Sequence, residues 1–275
     1  MHTQHDVLSH CKIYTYPHGV QDFVAADRAI FKADGWEERK HKDDDRDPPV
    51  SFLRAYLSLF MAVWCGYMPI LDDAEEERRE AQSVHKSMCR ARSKLRRLAL
   101  SNDFRWFVTL TLDQRYVDRM DPAAVVRKLS TWCSNMVQRR GLRYILVPER
   151  HKRGGIHFHG FFSDCDLGAV LSGHKDKQGH DIYNLDRWDL GFTTAIELYG
   201  DYPSAVAYVC KYIGKDGEKI GGRWYYSGGG LVEPKTDYAD ISARDLEQMF
   251  ENSVGYDLPG RRIVVVNGVK TDGES

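Results

Sequence analysis

His157 and His159 stand two residues apart in Ile156-His-Phe-His-Gly160. In an extended strand alternate side chains share a face, so both imidazoles point one way and Phe158 the other. Two imidazoles on one face make half of a metal site. Glu149 closes the preceding apolar run, and a short turn over 150–155 folds that run back antiparallel, which brings its carboxylate beside the histidines. One carboxylate with two imidazoles suits Mg²⁺ or Mn²⁺, with positions left for phosphate oxygens and water; zinc would also tolerate the set. Taken alone, the motif is equally a pair of exposed or hydrogen-bonded histidines.

A second block is Tyr208-Val-Cys-Lys211-Tyr212-Ile-Gly-Lys215. On a helix, residues four apart share a face, so Tyr208 stacks over Tyr212 and Lys211 over Lys215. A tyrosine can serve as nucleophile and form a covalent intermediate. Its phenol has a pKa of about 10, so a nearby cation or a metal-polarised phosphate must assist at neutral pH. The plain alternative is two tyrosines packed on a core with their polar tips outward.

The elements that must position these residues follow from periodicity and turn chemistry. Residues 105–112, rich in aromatic and β-branched side chains, read as a strand. Asp121-Pro122 opens a helix that Gly141 ends, with Val125, Val126, Leu129, Trp132, Cys133 and Met136 on its apolar face. Strands are predicted over 142–148, 156–162 and 191–199, and a short one over 224–227. A loop carrying Gly168, Gly173 and Gly179 separates the third strand from the fourth. Helices are predicted over 203–215 and 242–253, the latter capped by Ser242 with Asp245 three residues on. Upstream, 52–68 and 75–100 read as helices, the second with Val84, Met88, Ala91, Leu95 and Leu98 as one stripe. Hairpin-linked strands with crossing helices predict an α+β fold, an antiparallel sheet of the ferredoxin-like or RNA-recognition type flanked by helices.

Three blocks in order, Phe107-Val-Thr109-Leu-Thr111, His157-Phe-His159 and Tyr208 to Lys215, resemble the HUH endonuclease superfamily. The resemblance is to its bacteriophage and plasmid rolling-circle replication initiators, and within them to the two-tyrosine class, similar to the gene A proteins of small single-stranded DNA phages. It covers about residues 104–230. It implies His157, His159 and Glu149 as ligands of Mg²⁺ or Mn²⁺. It implies Tyr208 and Tyr212 as paired nucleophiles, with Lys211 and Lys215 as their accompanying lysines. The first block, with Thr109 and Thr111, is structural or DNA-contacting. The tyrosines follow the histidine block, as in replication initiators; in conjugative relaxases they precede it.

The expected activity is site-specific nicking of single-stranded origin DNA through a covalent 5′-phosphotyrosine, followed by strand joining. Host polymerase would extend the freed 3′-hydroxyl, and any helicase would come from the host, since no GxxxxGK[ST] phosphate loop is present. Arg150, Lys152 and Arg153 are expected on phosphates, and Trp106, Arg223, Trp224 and Tyr225 are further candidates for stacking bases or holding phosphates. Competing readings are a transposase or relaxase of the same superfamily, a non-catalytic binding protein on an RNA-recognition-like fold, and an unrelated metallohydrolase.

Composition frames these readings. The chain has 275 residues and a net charge of −1. The charge is uneven: −6 over 1–85, +6 over 86–105, +3 over 106–225 and −4 over 226–275. A basic middle suits a local polyanion site, or residues 86–97 are a solvated helix face. The six cysteines form no CxxC pair, which argues for reduced thiols and a cytoplasmic location rather than a zinc ribbon or disulfide framework. The apolar stretch 52–71 is interrupted by Gly66 and Pro69 and flanked by acids, so a buried helix is expected there and no membrane partner. The organisation expected is a helical N-terminal region over 1–100, an endonuclease domain over 101–230 and a C-terminal extension over 231–275.

Overall fold

The computed structural model describes residues 8–17, 20–26, 73–151, 154–198, 200, 202–215, 217–251, 254–258 and 261–266. In chain order the elements are β1 (Leu8–Thr15), β2 (Gln21–Ala26), α1 (Asp73–Leu100), β3 (Trp106–Leu112), α2 (Pro122–Arg140), β4 (Tyr144–Arg150), β5 (Ile156–Phe162), β6 (Ala169–Lys175), β7 (Asp181–Leu185), β8 (Gly191–Glu197), α3 (Tyr202–Cys210), β9 (Tyr226–Gly228), β10 (Lys235–Ser242), α4 (Ala243–Glu251), β11 (Val254–Leu258) and β12 (Arg261–Val266). The fold is α+β, two antiparallel sheets with helices packed on them.

The seven-stranded sheet runs β6-β7-β8-β3-β5-β4-β9. β3 alternates along its length: Trp106, Val108, Leu110 and Leu112 are buried on one face, and Phe107, Thr109 and Thr111 lie on the other. Ile156 and Phe158 of β5 join the buried set, and α2 covers it with Val125, Leu129, Trp132, Cys133 and Met136. Each such side chain contributes about 1.5–3 kcal/mol when fully removed from water. The ends of α2 match the signals at 121–141. Asp121 accepts from the Ala123 N–H at 2.8 Å, Pro122 starts the helix, and Gly141 ends it at φ 68°, a left-handed conformation that costs glycine least.

The opposite face is covered by α1 and α3. Leu95 and Leu98 of α1 and Val206 and Val209 of α3 pack on Ile145, Val147 and Phe161. The α1 stripe is buried only toward its C-terminal end; Val84 is exposed.

The two ends of the chain build the second sheet, ordered β10-β1-β2-β12-β11. This corrects the expectation of a helical region over 1–100, since β1 and β2 are strands, and it makes 235–266 the partner of those strands. The strands escape a reading of the sequence because their pairing partners lie more than 200 residues away. Tyr16 donates to Asp22 at 2.6 Å, and Arg96 of α1 pairs with the same carboxylate, so one nearly buried acid ties β2 to α1.

Three further expectations are revised or untested. Residues 168–179 fall in the β6–β7 hairpin, the helix expected over 203–215 ends at Cys210, and the helix expected over 52–68 lies outside the described residues. Beyond Cys210 the chain continues as tight turns whose N–H groups reach back three residues. Gly214 sits there at φ 75°, and a Cβ on it would meet the Met88 sulfur at 2.1 Å. Among the described residues no helix is long and apolar enough to cross a membrane.

Candidate active site

Strand register brings the candidate ligands together. Across β3-β5-β4, Thr111 pairs with His157 and His157 with Glu149; one step along, Thr109 pairs with His159 and His159 with Val147. The tight 151–155 turn closes the β4–β5 hairpin, with the His151 N–H on the Gly155 carbonyl at 2.8 Å. All these polar side chains share the face of the sheet that α1 and α3 cover elsewhere.

Each imidazole is oriented by a threonine. Thr111 Oγ1 is 3.2 Å from His157 Nδ1, and Thr109 Oγ1 is 3.1 Å from His159 Nδ1. The threonines expected on DNA therefore spend their hydroxyls on the histidines and place each Nε2 on the far side of its ring, the arrangement that fixes ring orientation in metal-binding histidines. Glu149 lies diagonally across from His159: one carboxylate oxygen is 2.7 Å from His159 Nε2, and the other takes the Lys215 ammonium.

Electrostatics follow burial. Burial holds both imidazoles below their usual range; for His157 the neighbouring His151 adds to this, and for His159 the Glu149 carboxylate opposes it. A neutral His159 thus donates Nε2–H to Glu149 and accepts at Nδ1 from Thr109. Burial alone would raise Glu149, but the Lys215 hydrogen bond and His159 outweigh it and keep the carboxylate below its ordinary value.

The tyrosines arrive from above the sheet. Tyr208, in the last turn of α3, meets Phe107 edge-on at 5.9 Å. Tyr212, in the turn beyond, lies flat on His159, with centroids 4.1 Å apart and planes 12° apart. The two hydroxyls are 2.8 Å apart. Burial and the Tyr208 hydrogen bond push the Tyr212 phenol up. Lys215 passes 5.4 Å from the Tyr212 ring on its way to Glu149, whereas Lys211 is exposed at the start of the turn.

Reasoning from sequence missed what holds this turn in place. Arg92 of α1 donates to the Ile213 carbonyl through Nε at 3.1 Å and through its terminal nitrogen at 2.7 Å. Other bases of that helix also face inward: Arg96 on Asp22 and Arg97 over the Tyr14 ring at 4.8 Å. The basic run over 86–97 is therefore in good part internal scaffolding. His151 was missed as well; its ring lies 5.4 Å from His157. A histidine in the hairpin turn directly before the His157 strand was the available signal.

The expected DNA contacts divide. Arg150 is near the site but paired to Glu218 at 2.9 Å, while Lys152 and Arg153 lie outside the described residues. Trp106 and Trp224 are buried, the latter donating to Ser87, and this removes both as stacking platforms.

Among the described residues no group of three or more His, Cys, Asp and Glu side chains is laid out to hold a metal ion. Glu149 is turned onto His159 and Lys215. The donor chemistry still fits a hard divalent cation: two threonine-oriented imidazoles on one strand face and one carboxylate already ionised.

Residues 105–217 match the model of a family of replication-associated proteins, the ORF2 type. The matched segment, under half of the chain, runs from the start of β3 through the tyrosine turn and so contains every residue of the site above. It supports a replication initiator that works on DNA. Arg92 and the rest of α1 lie outside it. No curated protein and no solved structure matches the chain.

Proposed function

We propose that the protein is a rolling-circle replication initiator that cuts one strand of its origin DNA and stays joined to it through a tyrosine. The observation that carries this reading is the Tyr208–Tyr212 hydroxyl pair, 2.8 Å apart, with the Tyr212 ring stacked on His159. Packed core tyrosines have no need of a candidate ligand histidine and a salt-bridged lysine beneath them. The match over 105–217 points the same way.

Single-stranded origin DNA is the substrate, laid across the open face of β3, β5 and β4. Glu149, His157 and His159 would hold Mg²⁺ or Mn²⁺, which when bound withdraws charge from a scissile phosphate. A tyrosine oxygen attacks phosphorus. The bond from that oxygen to phosphorus forms, the bond from phosphorus to the 3′ oxygen breaks, and the 3′ oxygen leaves as a hydroxyl after taking up a proton. The attacking phenol gives up its proton in the same step, and its partner hydroxyl at 2.8 Å is placed to share it. Lys215 supplies positive charge beside the Tyr212 ring and keeps Glu149 ionised. The second tyrosine then reverses the exchange at the regenerated junction and closes the circle, with no nucleotide triphosphate consumed. Host polymerase and helicase are the expected partners, and the host cytoplasm the expected compartment.

The test uses 5′- and 3′-labelled single-stranded oligonucleotides tiled across the DNA that carries the gene, with Mn²⁺ or EDTA, resolved on a denaturing gel. A metal-dependent, protease-sensitive adduct on the downstream fragment, absent from Tyr208→Phe/Tyr212→Phe, is expected. A clean cut without adduct would instead assign a hydrolase, and binding without a cut a non-catalytic binding protein.

A further inference from the structure

A cavity of about 570 Å³ opens directly beside the tyrosine pair, between the β6–β7 turn, the end of β8 and α3. Its floor is the cross-strand pair Phe107 and Ile196. Tyr208, about half exposed, forms one wall, edge-on to Phe107. The rim is polar. Asp176 caps its own turn through the N–H groups of Gln178 and His180 and holds the His180 ring at 3.1 Å, which fixes that imidazole at the mouth; Gln178 offers an exposed carboxamide with both donor and acceptor.

The charge pattern decides what fits. Asp176 and Glu197 line the cavity, and among the described residues no lysine or arginine does. The lining therefore offers acceptors and apolar surface rather than a cation for a phosphate. The lysine of the site, Lys215, lies on the far side of Tyr212, at Glu149. A single-stranded nucleic acid at this site thus meets a cation on one side of the hydroxyl pair. On the other it meets an aromatic-walled slot of ligand size.

We propose that this cavity is a nucleobase subsite: it takes the unstacked base of a nucleotide flanking the scissile phosphate. Phe107 and Tyr208 provide the stacking surface, and the β6–β7 turn reads the base edge. Acceptors on the rim and the Gln178 carboxamide favour a base with an exocyclic amine over thymine. The subsite gives the nick its position in sequence, and it ties Tyr208 to substrate binding as well as to chemistry. It rests on the strand-cutting reading above, but binding can be measured without cutting.

The experiment measures anisotropy of fluorescein-labelled single-stranded oligonucleotides on the full-length protein in EDTA, with one abasic site walked along the best-bound sequence. The same set is run for adduct formation in Mn²⁺. One abasic position adjacent to the cut is expected to weaken binding about tenfold, the scale of one lost base–aromatic stack, and thymine there to weaken it less. Gln178→Ala and the cavity-filling Ser204→Phe, both at exposed positions, are expected to lose affinity for the intact oligonucleotide and nothing more once that base is absent. Adducts with no sensitive position, or with both variants binding as wild type, would overturn the subsite while leaving the cutting reading intact. A base-dependent, variant-sensitive affinity without any adduct would keep the subsite and overturn the cutting. No binding to any oligonucleotide would overturn both.

Discussion

The Arg92 guanidinium donates two hydrogen bonds, at 3.1 and 2.7 Å, to the Ile213 carbonyl, the residue after Tyr212. A helix that precedes the catalytic sheet thereby sets where the tyrosine turn sits. Small displacements of a reacting group lower rates steeply. Arg92→Ala is expected to slow adduct formation by about tenfold or more, of order 1–2 kcal/mol in the barrier. Oligonucleotide affinity in EDTA should change little, and Arg92→Lys should restore part of the rate. An equal loss of affinity and rate would make Arg92 a DNA contact instead.

Tyr212 is the tyrosine fixed against a candidate ligand, stacked on His159, while Tyr208 stands half exposed over the cavity. Tyr212→Phe should therefore abolish the first cut on a linear oligonucleotide, and Tyr208→Phe should leave a first adduct but block strand joining. Adduct gels with each single variant, followed by peptide mapping of the bound DNA, decide the assignment; an adduct mapped to Tyr208 in the wild type would reverse it.

Thr109 and Thr111 orient the histidines through Nδ1. Removing such a partner typically costs about 10- to 100-fold in metal affinity or activity. Thr109→Val keeps the shape and loses the hydroxyl. The Mn²⁺ concentration for half-maximal adduct formation is expected to rise in that range, with the plateau recovered at high Mn²⁺. A lowered plateau at unchanged Mn²⁺ demand would place the threonine on DNA.

Asp22 is nearly buried and holds both Tyr16 and Arg96. Breaking a buried pair by deleting one partner costs about 3–5 kcal/mol, because the remaining charge is stranded. Arg96→Met should lower the urea midpoint accordingly, and Asp22→Asn/Arg96→Met should recover part of the loss. A fragment starting at residue 101 lacks α1, whose Leu95 and Leu98 are buried against Ile145 and Phe161, and should fail to give a cooperative unfolding transition.

Burial keeps His157 and His159 below the 6.5 of a free imidazole. From 6.5 down to those lowered values the unfolded chain binds more protons than the folded one, so stability is lost as pH falls through that window. Glu149, itself held low, adds a second loss only below its free value of 4.5. Urea unfolding between about pH 7.5 and 5.5 should show the first loss in the wild type and a shallower one in His157→Gln/His159→Gln. An unchanged slope would show that the two rings charge freely in the fold.

The central elements and their chemistry were legible in the chain itself. The Asp121-Pro122 cap, the Gly141 stop, the alternation of 106–112 and the His157–His159 spacing are local signals, each decided by backbone conformation within a few residues. So was the return of Glu149 toward the histidines, because a tight hairpin leaves little choice of partner. Contacts over long separations were not legible. The pairing of 8–26 with 235–266, the inward turn of Arg92 and Arg96 from a helix that reads as a solvated basic face, and the use of Thr109 and Thr111 on imidazoles all depend on which surfaces meet. Side-chain period says which face of an element is apolar, not what it packs against. The helix end at Cys210 belongs to the same class. Its sequence continues the helical pattern to Lys215, but Gly214 in its left-handed turn lies against Met88 and Ile213 is bonded to Arg92, two residues of a distant helix. That contact stacks Tyr212 on His159, and only the tertiary structure could decide it.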